Sequence, residues 1–198
     1  MSSKVVAIVG TYRKGEVIDT AVEAILAGAR EKGATTHTIY LTEQHIEFCR
    51  NCRKCMQSPG PERGKCPQVD DLEPILQEVE AADAIVLGSP VNCGNVTAIF
   101  RRFMERLIGF GYWPWGQNAP SSRKKTPTRK AALVASSAMP SLMMLAFTGA
   151  ATALRTTAKL LGAKSIDTLW IGLAAREPHH PLSARTLERA RRIGWKLA

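Results

Sequence analysis

The sequence predicts a doubly wound α/β fold, with five parallel strands in one sheet, ordered 2-1-3-4-5, between two helical layers. Three observations carry this. The run Val5–Val9 ends in Gly10 and passes at once into a helical pattern, which reads as a buried strand feeding a phosphate-type turn. Short apolar runs then alternate with helical periodicities along the chain, as parallel strands with crossover connections require. The most distinctive loops follow the first, third and fourth strands. In a 2-1-3-4-5 sheet those are the loops that line the switch point, where ligands sit outside the carboxyl ends of the strands.

The first strand is Val5–Val9. The first helix covers Ile18–Lys32, with Val22, Ile25, Leu26 and Ala29 at helical spacing and Gly33 as the stop. The second strand is Thr36–Leu41, and an irregular, cysteine-bearing segment fills Ile46–Pro67. Asp70-Asp71 suit the N-cap and first turn of a second helix ending near Ala82. The third strand is Ala84–Leu87, with Gly88–Gly94 as the loop into a third helix over Thr97–Ile108. An aromatic loop, Tyr112-Trp113-Pro114-Trp115-Gly116, precedes the fourth strand, Ala131–Ala135, whose exit is Ser136–Pro140. One helix over Ser141–Leu161, a fifth strand over Ser165–Ile171 and a helix from Ser183 onward complete the pattern.

A chain of 198 residues with 45% apolar composition suits one α/β domain over residues 1–198. Val5–Val9 is too short for the apolar core of a signal peptide. Ala131–Leu154 carries no charge and is long enough to span a bilayer. Ser136, Ser137, Pro140, Ser141, Thr148, Gly149 and Thr152 interrupt it, so a buried strand, a turn and a helix are expected instead. A cytoplasmic protein without a membrane partner is the expectation. The net charge of +10 concentrates in Arg123–Lys130 and in the last helix. A solvated helix face accounts for it. The charge also suits an anionic small molecule, and no nucleic-acid recognition motif accompanies it.

Gly10-x4-Gly15 resembles the start of a P-loop, but Glu16 and Val17 stand where the Lys and Ser/Thr of a nucleotide-hydrolysing loop are needed. No G-x-G-x-x-G follows any strand. What remains suits a terminal phosphate monoester. Thr11 Oγ, the Arg13 guanidinium and helix-start amides can surround a dianion, with Lys14 offsetting Glu16 and Asp19. The alternative is an ordinary βα turn. In the second loop Pro90 fixes the backbone, and the N–H groups of Val91, Asn92, Cys93 and Gly94 can face a flat heteroaromatic edge. A loop shaped only to start the third helix is the competing account. In the third loop Ser136, Ser137, Ala138 and Met139 offer hydroxyls and a thioether to pack on a ring, or simply the small residues that any buried strand needs at its exit.

Gly10-Thr11-Tyr12-Arg13, Cys49…Cys66-Pro67-Gln68-Val69-Asp70-Asp71 and Gly88-Ser89-Pro90-Val91 stand in a fairly specific order over residues 4–110. In this the chain resembles the NADPH-dependent FMN reductases of flavodoxin-like fold, of which iron–sulfur flavoproteins are a branch. The resemblance implies FMN, with its phosphate on Thr11, Arg13 and nearby amides and its ring against Pro90–Gly94 and Ser136–Met139. It also implies a homodimer or homotetramer. Hydride would pass from NAD(P)H through flavin N5 to a quinone, a flavin or another small acceptor, with no catalytic side chain required. The family often has Thr or Ser where this chain has Ile18, so one hydroxyl ligand is missing unless Thr20 or an amide substitutes. The Arg123–Lys130 loop is expected to assist an NADPH 2′-phosphate. The competing function is a flavodoxin-type electron carrier. Such carriers are usually acidic, and the charge of this chain is opposite.

Cys49-x2-Cys52-x2-Cys55-x10-Cys66-Pro67 is similar in spacing to the ligands of a bacterial [4Fe–4S] cluster. Structural zinc more often takes two separated C-x2-C pairs, and reduced thiols without any metal are the third account. Cys93 is either a redox-active neighbour of the flavin or a small packing residue. The aromatic loop is either a roof or subunit contact, or a satellite core.

Overall fold

The computed structural model describes residues 2–124, 126–177 and 179–198; Lys125, in the expected basic loop, lies outside the described residues. Every residue of β1 (Lys4–Val9) from Val5 onward is buried, as a strand covered on both faces must be. It pairs in parallel with β2 (Thr35–Tyr40) on one side and β3 (Ala84–Asn92) on the other. Next come β4 (Arg129–Ser136) and the edge strand β5 (Ala163–Ile171), also parallel. The order β2-β1-β3-β4-β5 is the expected 2-1-3-4-5.

Alternation sends successive strand residues to opposite layers. Val6, Ile8, Ile85 and Leu87 pack with Leu76 of α2 (Leu72–Glu80), Phe100 of α3 (Ala98–Glu105) and Leu154 of α5 (Ala150–Leu160). Val5, Ala7, Val9 and Val86 pack with Ile25 of α1 (Val17–Glu31) and Ile193 of α6 (Ala184–Leu197). Gly28 and Gly194 bring α1 and α6 together backbone to backbone. A Cβ on Gly194 would lie 1.9 Å from the Ile25 carbonyl oxygen, and one on Gly28 would lie 2.1 Å from that of Arg191. Gly194→Ala should therefore force the helices apart and lower stability by about 1–3 kcal/mol, as urea denaturation would measure.

Two elements differ from expectation. The helix expected over Ser141–Leu161 is two: α4 (Ser141–Phe147), then α5. Thr148 is extended, and its side chain serves both ends. Its hydroxyl donates to the Met144 carbonyl and accepts from Ala150 N–H, an alternative to continuing the helix. β3 runs past Leu87 to Asn92, and its end folds back as a hairpin with Asn95–Val96. Among the described residues no helix is long and apolar enough to cross a membrane.

The cysteine segment has little regular structure and is held by arginines. Arg63 gives two hydrogen bonds to Glu73, at 2.8 and 2.9 Å. Arg53 lies 3.8 and 4.1 Å from the ring centres of Trp113 and Trp115, and donates to the Trp113 carbonyl. The aromatic loop thus packs on the cysteine segment, while Trp115 stays 66% exposed.

Candidate functional site

The site begins where β1 ends. Gly10 N–H donates to Gly88 O across to β3, and Gly10 O accepts the Thr97 hydroxyl at 2.6 Å. Thr97 is fully buried, caps α3 through Phe100 N–H, and takes its own N–H bond to Ser89 Oγ. One threonine therefore locks the first loop, the second loop and a helix start together. A Cβ on Gly10 would sit 2.7 Å from Phe100 Cβ, so close approach requires this glycine. Gly15 is required for a different reason, its φ of 77°.

From this anchor Thr11, buried, and Arg13 project into a cleft of about 240 Å³ with Tyr12 and the start of α1. Thr11 Oγ1 accepts from Arg13 N–H, which tightens the turn. Glu16 is the N-cap of α1 but makes no capping bond, so the first-turn amides are left to a ligand or water. Asp19 works from behind, accepting from Gly15 N–H at 2.6 Å and from the Tyr40 hydroxyl at 2.5 Å. Burial, reinforced by that carboxylate, pushes the Tyr40 phenol up to about 12. Lys14 turns the other way, onto Glu43 and the Tyr40 ring, and does not line the cleft. Ile18 lines the cleft with an aliphatic side chain that is buried, so only its backbone amide, in the first turn of α1, can donate there. Thr20 does not substitute for a hydroxyl there, because its own bonds the Gly15 carbonyl.

Pro90, Val91 and Asn92 from the end of β3, and Ser136, Ser137 and Ala138 from the exit of β4, form the opposite walls. Cys93 and Gly94 stand outside it. They form the hairpin tip, with φ of 47° and 75°, as a two-residue turn of this handedness requires. Met139 leaves the wall to pack against the core, and Ser137 Oγ bonds its carbonyl. The sequence reading did not place Thr97, or the loop after β5, at this site. Ala174, Ala175 and His180 of that loop line the cleft, and Ala174 N–H donates to Ser137 O. That loop also leaves a strand at its carboxyl end, the one signal that pointed to it.

A carboxylate occupies the positive end of the cleft. Glu16 Oε1 stands 3.3 Å from Arg13 Nη2 and 2.5 Å from His179 Nδ1. The donor set of Thr11, Arg13 and the amides of α1 fits a phosphate dianion, provided the incoming anion takes Arg13 from Glu16.

The cysteines lie apart from the cleft. Cys55 is buried, Cys49 and Cys66 half-buried, and Cys52 exposed. Burial pushes the Cys55 thiol up to about 11, with the neighbouring Cys66, Cys49 and Cys52 adding to it. Among the described residues no group of three or more His, Cys, Asp or Glu is arranged to hold a metal ion. The basic loop departs from its expected role. Arg123 donates to the carbonyls of Gly109, Gly111, Gly60 and Cys55, and the loop enters β4 at the end opposite the cleft.

The sheet order, with the cleft at the carboxyl ends of β1, β3 and β4, defines a flavodoxin-like α/β protein. The chain belongs to the NADPH-dependent FMN reductase family, whose model matches residues 3–175. It is 31% identical over 111 residues to an iron–sulfur flavoprotein of Archaeoglobus fulgidus, covering 56% of this chain and 48% of that one. To an iron–sulfur flavoprotein of Methanocaldococcus jannaschii it is 36% identical over 111 residues, covering 54% and 55%. The chain thus matches over about half the length of these curated relatives. Among solved structures, an NAD(P)H:quinone oxidoreductase from Methanothermobacter marburgensis superposes with a TM-score of 0.71 at 20% identity, covering 100% of both chains. An azoreductase from Bacillus anthracis superposes with a TM-score of 0.73 at 16% identity, covering 98% of this chain and 99% of that one. At these identities the likeness is one of fold.

Proposed function

We propose that this chain is an FMN-dependent NAD(P)H oxidoreductase acting on a quinone, a flavin or another small acceptor. The observation that carries this is the convergence of three strand-exit loops on one cleft. One end of it holds Thr11, Arg13 and an uncapped helix start, and the other is walled by Pro90–Asn92 and Ser136–Ala138. Bound flavin supplies the hydride chemistry. Thr11, Arg13 and the amides of α1 anchor the phosphate, the hairpin and the β4 exit hold the ring in register, and the Ser89–Thr97–Gly10 bonds keep these loops at a fixed distance. No side-chain acid or base is assigned. An absorption spectrum of the purified protein should show the two visible bands of oxidised flavin, which bleach on anaerobic addition of NADPH and return with a quinone. Well-folded, colourless protein that ignores micromolar riboflavin 5′-phosphate would overturn the proposal.

A second reading adds a [4Fe–4S] cluster on Cys49, Cys52, Cys55 and Cys66. It is supported by the names of the curated relatives and by the spacing of these cysteines, and it requires the segment to draw its thiols together, since the described residues hold no group placed for a metal ion. Iron and acid-labile sulfide assays on anaerobically purified protein decide between the two. Assembly into two or four copies belongs to the main proposal. Leu142 and Phe147 stand 79% and 74% exposed on α4, just beyond the cleft wall. Sedimentation equilibrium should return a mass above that of one chain. A cytoplasmic location is proposed with it.

A further inference from the structure

A second groove opens between the carboxyl end of β5 and α6. It is larger than the cleft, about 890 Å³ and open to solvent, and His180 lines both. Leu169, Ile171 and Leu182 contribute apolar surface to it. Arg185, Arg189 and Arg192 line it from α6, and among the described residues no carboxylate does. The spacing of four and then three residues puts these three cations on one helical face. Such a row is self-repelling and mildly destabilises a helix unless an anion answers it. The internal answers are few. Arg189 donates to the Thr168 carbonyl at 2.8 Å, and Arg192 lies 3.8 Å from the exposed Glu188. Among the described residues Arg185 has neither an ion-pair partner nor a hydrogen-bond acceptor.

We infer that this groove receives the adenosine end of the nicotinamide co-substrate, with Arg185 and Arg192 binding its 2′-phosphate and so favouring NADPH over NADH. The assignment rests on the function proposed above and adds the residues that select the co-substrate. It follows from continuity and charge. An elongated dinucleotide with its nicotinamide over a flavin held in the cleft meets, past His180, the row of arginines that lines the groove. The arginines of the Arg123–Lys130 loop stand at the far end of the sheet, committed to carbonyls. A phosphate monoester meets guanidinium groups through paired, charge-assisted bonds, for which arginine is the suited residue.

Calorimetric titration with adenosine 2′,5′-bisphosphate and with adenosine 5′-monophosphate tests this without turnover. The wild-type protein should bind the bisphosphate at least about tenfold more tightly. Arg185→Gln/Arg192→Gln should lose that preference, while its affinity for riboflavin 5′-phosphate stays unchanged. Its KM should rise about tenfold for NADPH and stay level for NADH. The charge-matched control Arg30→Gln/Arg101→Gln, at exposed sites on α1 and α3, should behave as wild type. Equal binding of the two nucleotides by wild type, or equal losses in variant and control, would overturn the assignment. Retained preference for the bisphosphate in protein that binds no flavin would support the groove and sink the flavin proposal instead.

Discussion

Arg13→Ala should weaken riboflavin 5′-phosphate binding about 100-fold, and Glu16→Gln should tighten it about tenfold. Arg13 can give a phosphate two charge-assisted hydrogen bonds. Its side chain is 58% exposed, so each bond is taken near the lower end of its range. About 1.5 kcal/mol apiece gives about 3 kcal/mol, or roughly 100-fold. Glu16 acts in the opposite direction. Its carboxylate holds Arg13 at 3.3 Å and lines the space the dianion would enter. Neutralising it removes a competitor for the guanidinium and a partly screened repulsion on the order of 1.4 kcal/mol. Fluorescence titration of flavin-free protein measures both, with riboflavin as control. Riboflavin lacks the phosphate, so its affinity should move little in either variant. Equal losses for riboflavin and its phosphate in Arg13→Ala would place Arg13 at the ring or in the fold, not at the phosphate.

What the sequence disclosed of this site follows from how local each feature is. Strand, glycine and helix start stand next to one another between Val5 and Ile18, so the first loop was legible as a unit. The central strands were legible because burial on both faces leaves continuous apolar runs. Lys14 was expected beside the phosphate, and its direction is decided by Glu43 and Tyr40, partners that only the packing of β2 beside β1 supplies. Gly88–Gly94 was expected as a loop into the third helix, and the hairpin at its end was not legible because it turns on a positive φ at Cys93, a residue type that does not signal one. Thr97 was visible as a helix start, but its bond to Gly10 joins residues 87 positions apart. Gly28 and Gly194 look like weak points of two helices until their close approach is seen.

Arg106→Leu should destabilise the fold by about 3–5 kcal/mol, because it leaves the buried carboxylate of Asp70 without its partner. Both side chains are 1% exposed. Arg106 Nη1 donates to Asp70 at 2.5 Å and to the Glu47 carbonyl at 2.6 Å, and Nη2 reaches Cys66 Sγ at 3.4 Å. Asp70 also accepts from Glu47 N–H and Leu72 N–H. The pair therefore joins the start of α2, the turn after α3 and the cysteine segment, beside buried Ile46, Leu72 and Leu107. Burial alone would raise the Asp70 carboxyl. Arg106 and the two amides outweigh burial and hold it below the usual carboxylate range. A carboxyl lowered in the folded state contributes stability that is present above its unfolded value, about 3.9, and lost as pH falls through its folded value. The gap between wild type and Arg106→Leu should then be widest near neutrality and narrow as the pH approaches 3. Asp70→Asn/Arg106→Leu removes the stranded charge, so it should be more stable than Arg106→Leu alone, with a coupling energy of about 2 kcal/mol. Urea denaturation of wild type, Arg106→Leu, Asp70→Asn and Asp70→Asn/Arg106→Leu at pH 7 and pH 3 measures both quantities. Additive losses, or a gap that does not change with pH, would mean that packing and not charge holds this junction.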